Sequence, residues 1–185
     1  MDHTPIDPEW LMMTISETLP ENTIVVDEGL TAAKTLLDFL PLRDRHSYFG
    51  MVSGGIGWGI AAAVGIGLAQ PDRRIAAIIG DGSALYSPQA LWTAAHLALP
   101  ITFIILNNGW LSDSQKSDSM LFMAMTAISA WTSKRRPSIW RALPSLSVCP
   151  ESRSANPGRF AASLTEALER PGPALLEVMV EPGPG

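Results

Sequence analysis

Two largely apolar, β-branched runs whose starts lie 26 residues apart, Ile75 to Ile79 and Ile101 to Leu106, constrain the fold of this chain more than any other feature. Short apolar runs without alternation read as strands buried on both faces of a parallel sheet. Between them Ser87 is placed as an N-cap with Pro88 at the first helical position, and Leu91, Ala94, Ala95 and Ala98 recur at helical spacing until Pro100 stops the helix. Strand, crossover helix and strand form a right-handed βαβ unit. Both carboxyl ends therefore open on one edge of the sheet.

Gly80-Asp81-Gly82 follows the first strand at that edge, and Asn107-Asn108 follows the second. Open α/β sheets bind ligands there, and the glycines beside Asp81 let a ligand approach backbone N–H groups closely. One carboxylate and one amide oxygen suit Mg²⁺ shared with a diphosphate, because Mg²⁺ takes few protein ligands and completes its shell with phosphate and water. Either dipeptide alone reads as an ordinary turn or polar loop.

Taken together, Gly80-Asp81-Gly82-Ser83, the 27 positions from Asp81 to Asn108, and the apolar strand before each resemble the thiamine-diphosphate motif of the decarboxylase and acetolactate synthase superfamily. The wording SALYSPQALWTAA is most similar to benzoylformate decarboxylases, and the likeness extends through most of Pro5 to Gly109. The resemblance implies an α/β fold in three layers, a parallel sheet with helices on both faces. It implies that Asp81 and the Asn108 side chain ligate Mg²⁺, that the backbone carbonyl of Trp110 completes the protein's share, and that Gly80, Gly82 and Ser83 hold the diphosphate. Family positions matching Leu30 and Thr31 carry hydroxyls that contact the diphosphate; Thr31 keeps one and Leu30 does not.

The turn Gly54-Gly55-Ile56-Gly57 takes a role from the same resemblance. In the family the carbonyl at Gly54 accepts from the cofactor's amino group, and an apolar side chain at Ile56, 25 residues before Asp81, props the bent cofactor. That bend brings the amino group to the thiazolium carbon, where it acts as base for ylid formation. A dinucleotide-binding role for Gly54 to Gly59 is the rival. Such a fingerprint follows a strand directly and is followed by an acidic residue in the next unit, whereas these glycines lead into an alanine-rich helix.

Elsewhere, Asp7 and Pro8 start a helix with Leu11, Ile15 and Leu19 on one face, and Thr23 to Val26 forms a strand. Glu28, just beyond it, reads equally as a solvated loop carboxylate or a ligand-facing group. A helix is expected from Thr31 to Leu40 with Leu36, Leu37 and Leu40 inward, then a solvated loop at Arg43 to His46. A helix from Asn156-Pro157 to Arg170 and a strand from Ala174 to Val180 close the pattern.

With 185 residues and 46% hydrophobic content, one domain is expected. A net charge of −5 argues against nucleic acid and anionic membranes as partners. The opening MDHTPIDPEW has no secretory pattern, and Gly54 to Ala69 falls short of the ~20 residues of a membrane helix. A single cysteine, Cys149, forms no internal disulfide, so a cytoplasmic location is expected. His96 reads as a helix surface residue, and neither a zinc cluster nor a Ser-His-Asp arrangement is present in the pattern.

From Trp110 to Cys149 the signals fail: three of the six tryptophans, many serines and a basic KRRP run occur without a capped helix or strand. We expect this stretch to be disordered or translated out of frame. Read in shifted frames, Ser119 to Val148 regains a capped amphipathic helix and Trp110 to Lys116 regains the family's Asn-Asn-x-x-Tyr pattern, which needs single-base insertions near Trp110, Ser117 and Cys149. The chain is then expected to be the thiamine diphosphate and Mg²⁺ binding domain of a 2-keto acid decarboxylase or carboligase. No catalytic residue is assigned within it, because the resemblance places the activating glutamate on a pyrimidine-binding domain outside this chain, usually from a neighbouring subunit of a homo-oligomer. Turnover by this chain alone is not expected. The alternative is a truncated, non-catalytic binding module.

Overall fold

The computed structural model describes residues 5–108, 147–148 and 157–182. Trp110, Cys149, His3, the KRRP run and nearly all of the proposed out-of-frame stretch lie outside the described residues.

Six strands form one fully parallel sheet: β1 (Ile24–Glu28), β2 (Tyr48–Gly50), β3 (Ile75–Gly80), β4 (Ile101–Asn107), β5 (Ser147–Val148) and β6 (Ala174–Met179). Their spatial order is β2-β1-β3-β4-β6-β5. The chain therefore leaves β1 toward one edge and returns past it to build the rest of the sheet through β3. The crevice outside the carboxyl ends of β1 and β3 is the topological switch point at which such sheets bind ligands.

Side chains alternate between two apolar layers, as the pleat requires. Val25, Ile78, Ile104 and Leu176 pack with Leu11 and Ile15 of helix α1 (Pro8–Thr18), Leu36 of α2 (Leu36–Phe39), and Phe160 and Leu164 of α6 (Pro157–Glu169). On the opposite face Val26, Ala77, Ile79, Phe103 and Ile105 pack with Ile60 and Ala63 of α3 (Gly59–Ala69), Ala84 of α4 (Asp81–Ala84), and Leu91 and Ala94 of α5 (Gln89–His96). The three-layer architecture is the one expected. Both central strands are buried along almost their whole length, which is why they carry no polar alternation.

Local expectations fare unevenly. Asp7 caps α1 as expected, accepting a hydrogen bond from the Trp10 N–H at 2.8 Å. The helix expected over Thr31 to Leu40 splits into a 3-10 turn (Leu30–Ala33) and the short α2, with Thr35 between them at φ −93°, ψ 2°. The helical period therefore does not run through, and Leu37 is 51% exposed while Leu36 is fully buried. Ser87 is not an N-cap. Pro88 occupies that position, and the Ser87 hydroxyl turns away to donate to the Gly57 carbonyl at 2.8 Å. Neither β2 nor β5 is anticipated, because runs of three and two residues are too short to show a period. Among the described residues no helix is long and apolar enough to cross a membrane.

The end of α5 supports a first prediction. Leu99 N–H bonds to Ala94 O and Ala98 N–H to Ala95 O, the paired reversal that ends many helices, with Ala98 in the left-handed region at φ 49°. This position favours glycine. Since Ala98 is exposed, Ala98→Gly removes little packing and relieves the backbone strain. Stability should rise by roughly 1 kcal/mol, or about 2–4 °C in a calorimetric melt.

Candidate functional site

Parallel pairing levels the strand ends against one another. Glu28 pairs in register with Ile79, and Gly80 with Leu106, so Asp81 and the Asn107-Asn108 pair emerge side by side from β3 and β4. The edge expected to gather Asp81 and Asn108 does so. Gly80, Asp81 and Gly82 are half-buried there, as is Asn108. Asp81 Oδ1 accepts from the Gly82 N–H at 3.0 Å, which orients the carboxylate over the turn that opens α4. Ser83 is buried at 2% exposure, and its hydroxyl has no hydrogen-bond partner among the described residues.

Thr31 lies exposed in the 3-10 turn directly after β1, on the same edge. Its neighbour Leu30 holds φ 51°, a conformation that ordinary residues adopt only at a cost in backbone strain. The root of this turn is braced: Asp27 accepts from the Gly29 N–H at 2.9 Å and from the Tyr48 hydroxyl at 2.8 Å. Burial raises the Asp27 carboxyl above its ordinary value, against the opposing pull of those two bonds. Burial and the adjacent Asp27 push the Tyr48 phenol up as well.

Gly54, Gly55 and Ile56 lie exposed in the turn before α3. Ile56 is 41% exposed, so it is not an ordinary core isoleucine. Among the described residues, a Cβ at Gly54 would meet nothing within 4 Å, and one at Gly55 would meet only the Ser53 hydroxyl at 3.8 Å. Both peptides face open space. Trp110, expected to offer a backbone carbonyl, lies outside the described residues.

Two contacts at this edge were not legible beforehand. Glu28 is neither a solvated carboxylate nor ligand-facing; it is 1% exposed, and its two oxygens accept from the backbone N–H groups of Gly57 and of Gly59, the latter at 2.7 Å. Its position at the end of a strand was visible, but its partners lie 29 and 31 residues away. Asn107 donates to Glu177 Oε1 at 2.9 Å, both side chains buried, which ties the end of β4 to β6 beside Asn108. The solvated loop at Arg43 to His46 is as expected, with Arg43, Asp44 and Arg45 exposed. Among the described residues no group of three or more His, Cys, Asp or Glu side chains gathers as a metal cluster. His96 stacks on Trp92 at the exposed surface of α5, with ring centroids 4.8 Å apart.

Comparison with known proteins identifies the family of the domain. Residues 30–178 match the family described as thiamine pyrophosphate enzyme, C-terminal TPP binding domain. The chain is 43% identical over 105 residues to benzoylformate decarboxylase of Pseudomonas aeruginosa, covering 57% of this chain and 20% of that protein. It is 27% identical over 180 residues to the acetolactate synthase isozyme 1 large subunit of Escherichia coli, covering 96% and 31%. A thiamine diphosphate-dependent 4-hydroxybenzoylformate decarboxylase from Rhodococcus jostii superposes with a TM-score of 0.73 at 28% identity, over 96% of this chain and 33% of that one. The chain thus spans between a fifth and a third of the length of these relatives. It belongs to the thiamine pyrophosphate enzymes, as their C-terminal TPP-binding domain.

Proposed function

We propose that this chain is the thiamine diphosphate and Mg²⁺ binding unit of a 2-keto acid decarboxylase or carboligase of the benzoylformate decarboxylase type. The observation that carries the reading is the emergence of Asp81 and Asn108 side by side at the switch-point edge, above a buried Ser83 hydroxyl that lacks a protein partner among the described residues.

The residues fit the group. Asp81 and Asn108 offer hard oxygen donors, which suit a metal that shares its shell with phosphate and water. Ser83, Gly80 and Gly82 line the approach to that metal, and Thr31 faces the same edge from β1. Their role is to hold the diphosphate by hydroxyl and backbone donors. Gly54, Gly55 and Ile56 receive the ring end, where the Gly54 carbonyl accepts from the amino group and Ile56 supplies an apolar support. When bound, the cofactor supplies a nucleophilic carbon and an electron sink for 2-keto acids. The chain's own residues bind it, orient it and keep its two ends at a fixed separation. A pyrimidine-binding domain from a homo-oligomeric partner or another segment completes the site. Over spans of similar length, the identity of 43% across 105 residues to benzoylformate decarboxylase exceeds the 32% across 112 residues to the acetolactate synthase large subunit of Parasynechococcus marenigrum, which supports decarboxylation over synthase activity.

Titration calorimetry of the purified chain with thiamine diphosphate tests the proposal. Binding should require Mg²⁺ and vanish when EDTA removes it. Binding that is indifferent to EDTA would overturn the metal assignment.

A further inference from the structure

Resting on that reading, we propose that Glu28 is a positioning residue that locks the Gly54–Gly59 turn to the sheet, so that the ring end of the cofactor is held in register with its diphosphate end. Glu28 is buried at the end of β1, yet nothing in the binding of metal or diphosphate uses it. Both carboxylate oxygens are instead occupied by the N–H groups of Gly57 and Gly59. Charge-assisted bonds of this kind are about twice as strong as neutral ones, and burial keeps water from replacing them.

Gly57 is gripped from its other side too. Its carbonyl accepts from the Ser87 hydroxyl at 2.8 Å, and Ser87 follows closely on the Asp81-Gly82-Ser83 segment. The two peptide groups that flank this one residue are therefore tied, one through its N–H to β1 and the next through its carbonyl to the chain that carries the metal-side residues. The packing allows little slack. Gly57 sits at φ +94°, and a Cβ there would lie 2.2 Å from the Tyr86 Cβ; a Cβ on Gly59 would lie 2.7 Å from Glu28 Oε2 and 2.6 Å from the Ile79 Cδ1. Glycine at these two positions is what lets the backbone come within reach of the carboxylate. Beyond the grip, Gly54, Gly55 and Ile56 are exposed, and among the described residues nothing lies within 4 Å of where a Gly54 Cβ would be. Their placement follows from the clamp behind them.

A positioning role separates from a merely structural one by what each end of the ligand feels. Inorganic pyrophosphate with Mg²⁺ probes the diphosphate end, and thiamine diphosphate with Mg²⁺ probes both ends. Glu28→Gln puts an amide nitrogen against an N–H donor and loses one of the two bonds. In the full chain it should weaken thiamine diphosphate about tenfold or more while leaving pyrophosphate affinity within about twofold, each a fold-change in Kd. Hydrogen exchange at the Gly57 and Gly59 amides, measured without ligand, should accelerate at least tenfold. Equal losses for both ligands, or unchanged exchange at both glycines, would overturn the proposal. Failure of wild-type chain to bind pyrophosphate with Mg²⁺ would instead sink the functional reading, and the exchange data would still decide whether the clamp exists. Should Glu28→Gln not fold, Ser87→Ala releases the same residue, Gly57, from its carbonyl side, and the same selective loss, smaller in size, is expected.

Discussion

Asp81→Ala should abolish Mg²⁺-dependent binding of thiamine diphosphate. Mg²⁺ draws few ligands from any protein, so each one matters, and a methyl group in place of the carboxylate leaves the amide of Asn108 as the described side-chain donor at this edge. The loss should be at least about a hundredfold in Kd, or ~2.7 kcal/mol. The fold should survive, because Asp81 is half-buried at the rim and belongs to neither apolar layer. The measurement is calorimetric titration of both forms with thiamine diphosphate in the presence of Mg²⁺, with far-ultraviolet dichroism as a control. Metal-dependent binding that persists in the variant would remove Asp81 from the metal site. The same protein also disposes of the rival reading of the Gly54–Gly59 turn, which requires dinucleotide binding unaffected by this substitution.

Phe103→Ala should cost about 3–5 kcal/mol of stability. Phe103 is fully buried in the middle of β4, in register with Ala77 on one side and Leu175 on the other. A small alanine at position 77 gives a cavity little chance to close from that side. Domains of ordinary stability hold only 5–15 kcal/mol in total, so the variant should be largely unfolded at modest urea concentrations. Phe103→Leu, which keeps most of the volume, should lose far less. Urea denaturation curves for the three proteins check both the size and the order. A loss below about 1.5 kcal/mol for the alanine variant would mean that α3 and α5 collapse into the gap.

The parts of the structure legible in advance are those whose cause is local. The largely apolar strands β3 and β4 and the Asp7-Pro8 start of α1 each follow from a few adjacent residues, and each is found where expected. The meeting of Asp81 and Asn108 follows from two strands joined by one crossover, so it too needed only local pattern and the handedness rule. What escaped depends on contacts between distant segments. Ser87 has the chemistry of an N-cap, but the Gly57 carbonyl 30 residues earlier competes for its hydroxyl and wins. Glu28 reads equally as solvated or ligand-facing until Gly57 and Gly59 are brought above it. The helix expected over Thr31 to Leu40 is interrupted at Thr35, whose backbone leaves the helical region, and the spacing of Leu36, Leu37 and Leu40 carries no trace of that break.

The strand order also distributes the chain-entropy cost of folding unevenly. Pairing Ile75 with Ile101 closes a loop of 26 residues, whereas pairing Thr102 with Ala174 closes one of 72. The longer closure costs ~0.9 kcal/mol more. The two strands that present Asp81 and Asn108 are thus the pair the chain can bring together with the shorter search. The edge that carries the chemistry is built across one of the short closures of the sheet, and β6 joins across the wider gap.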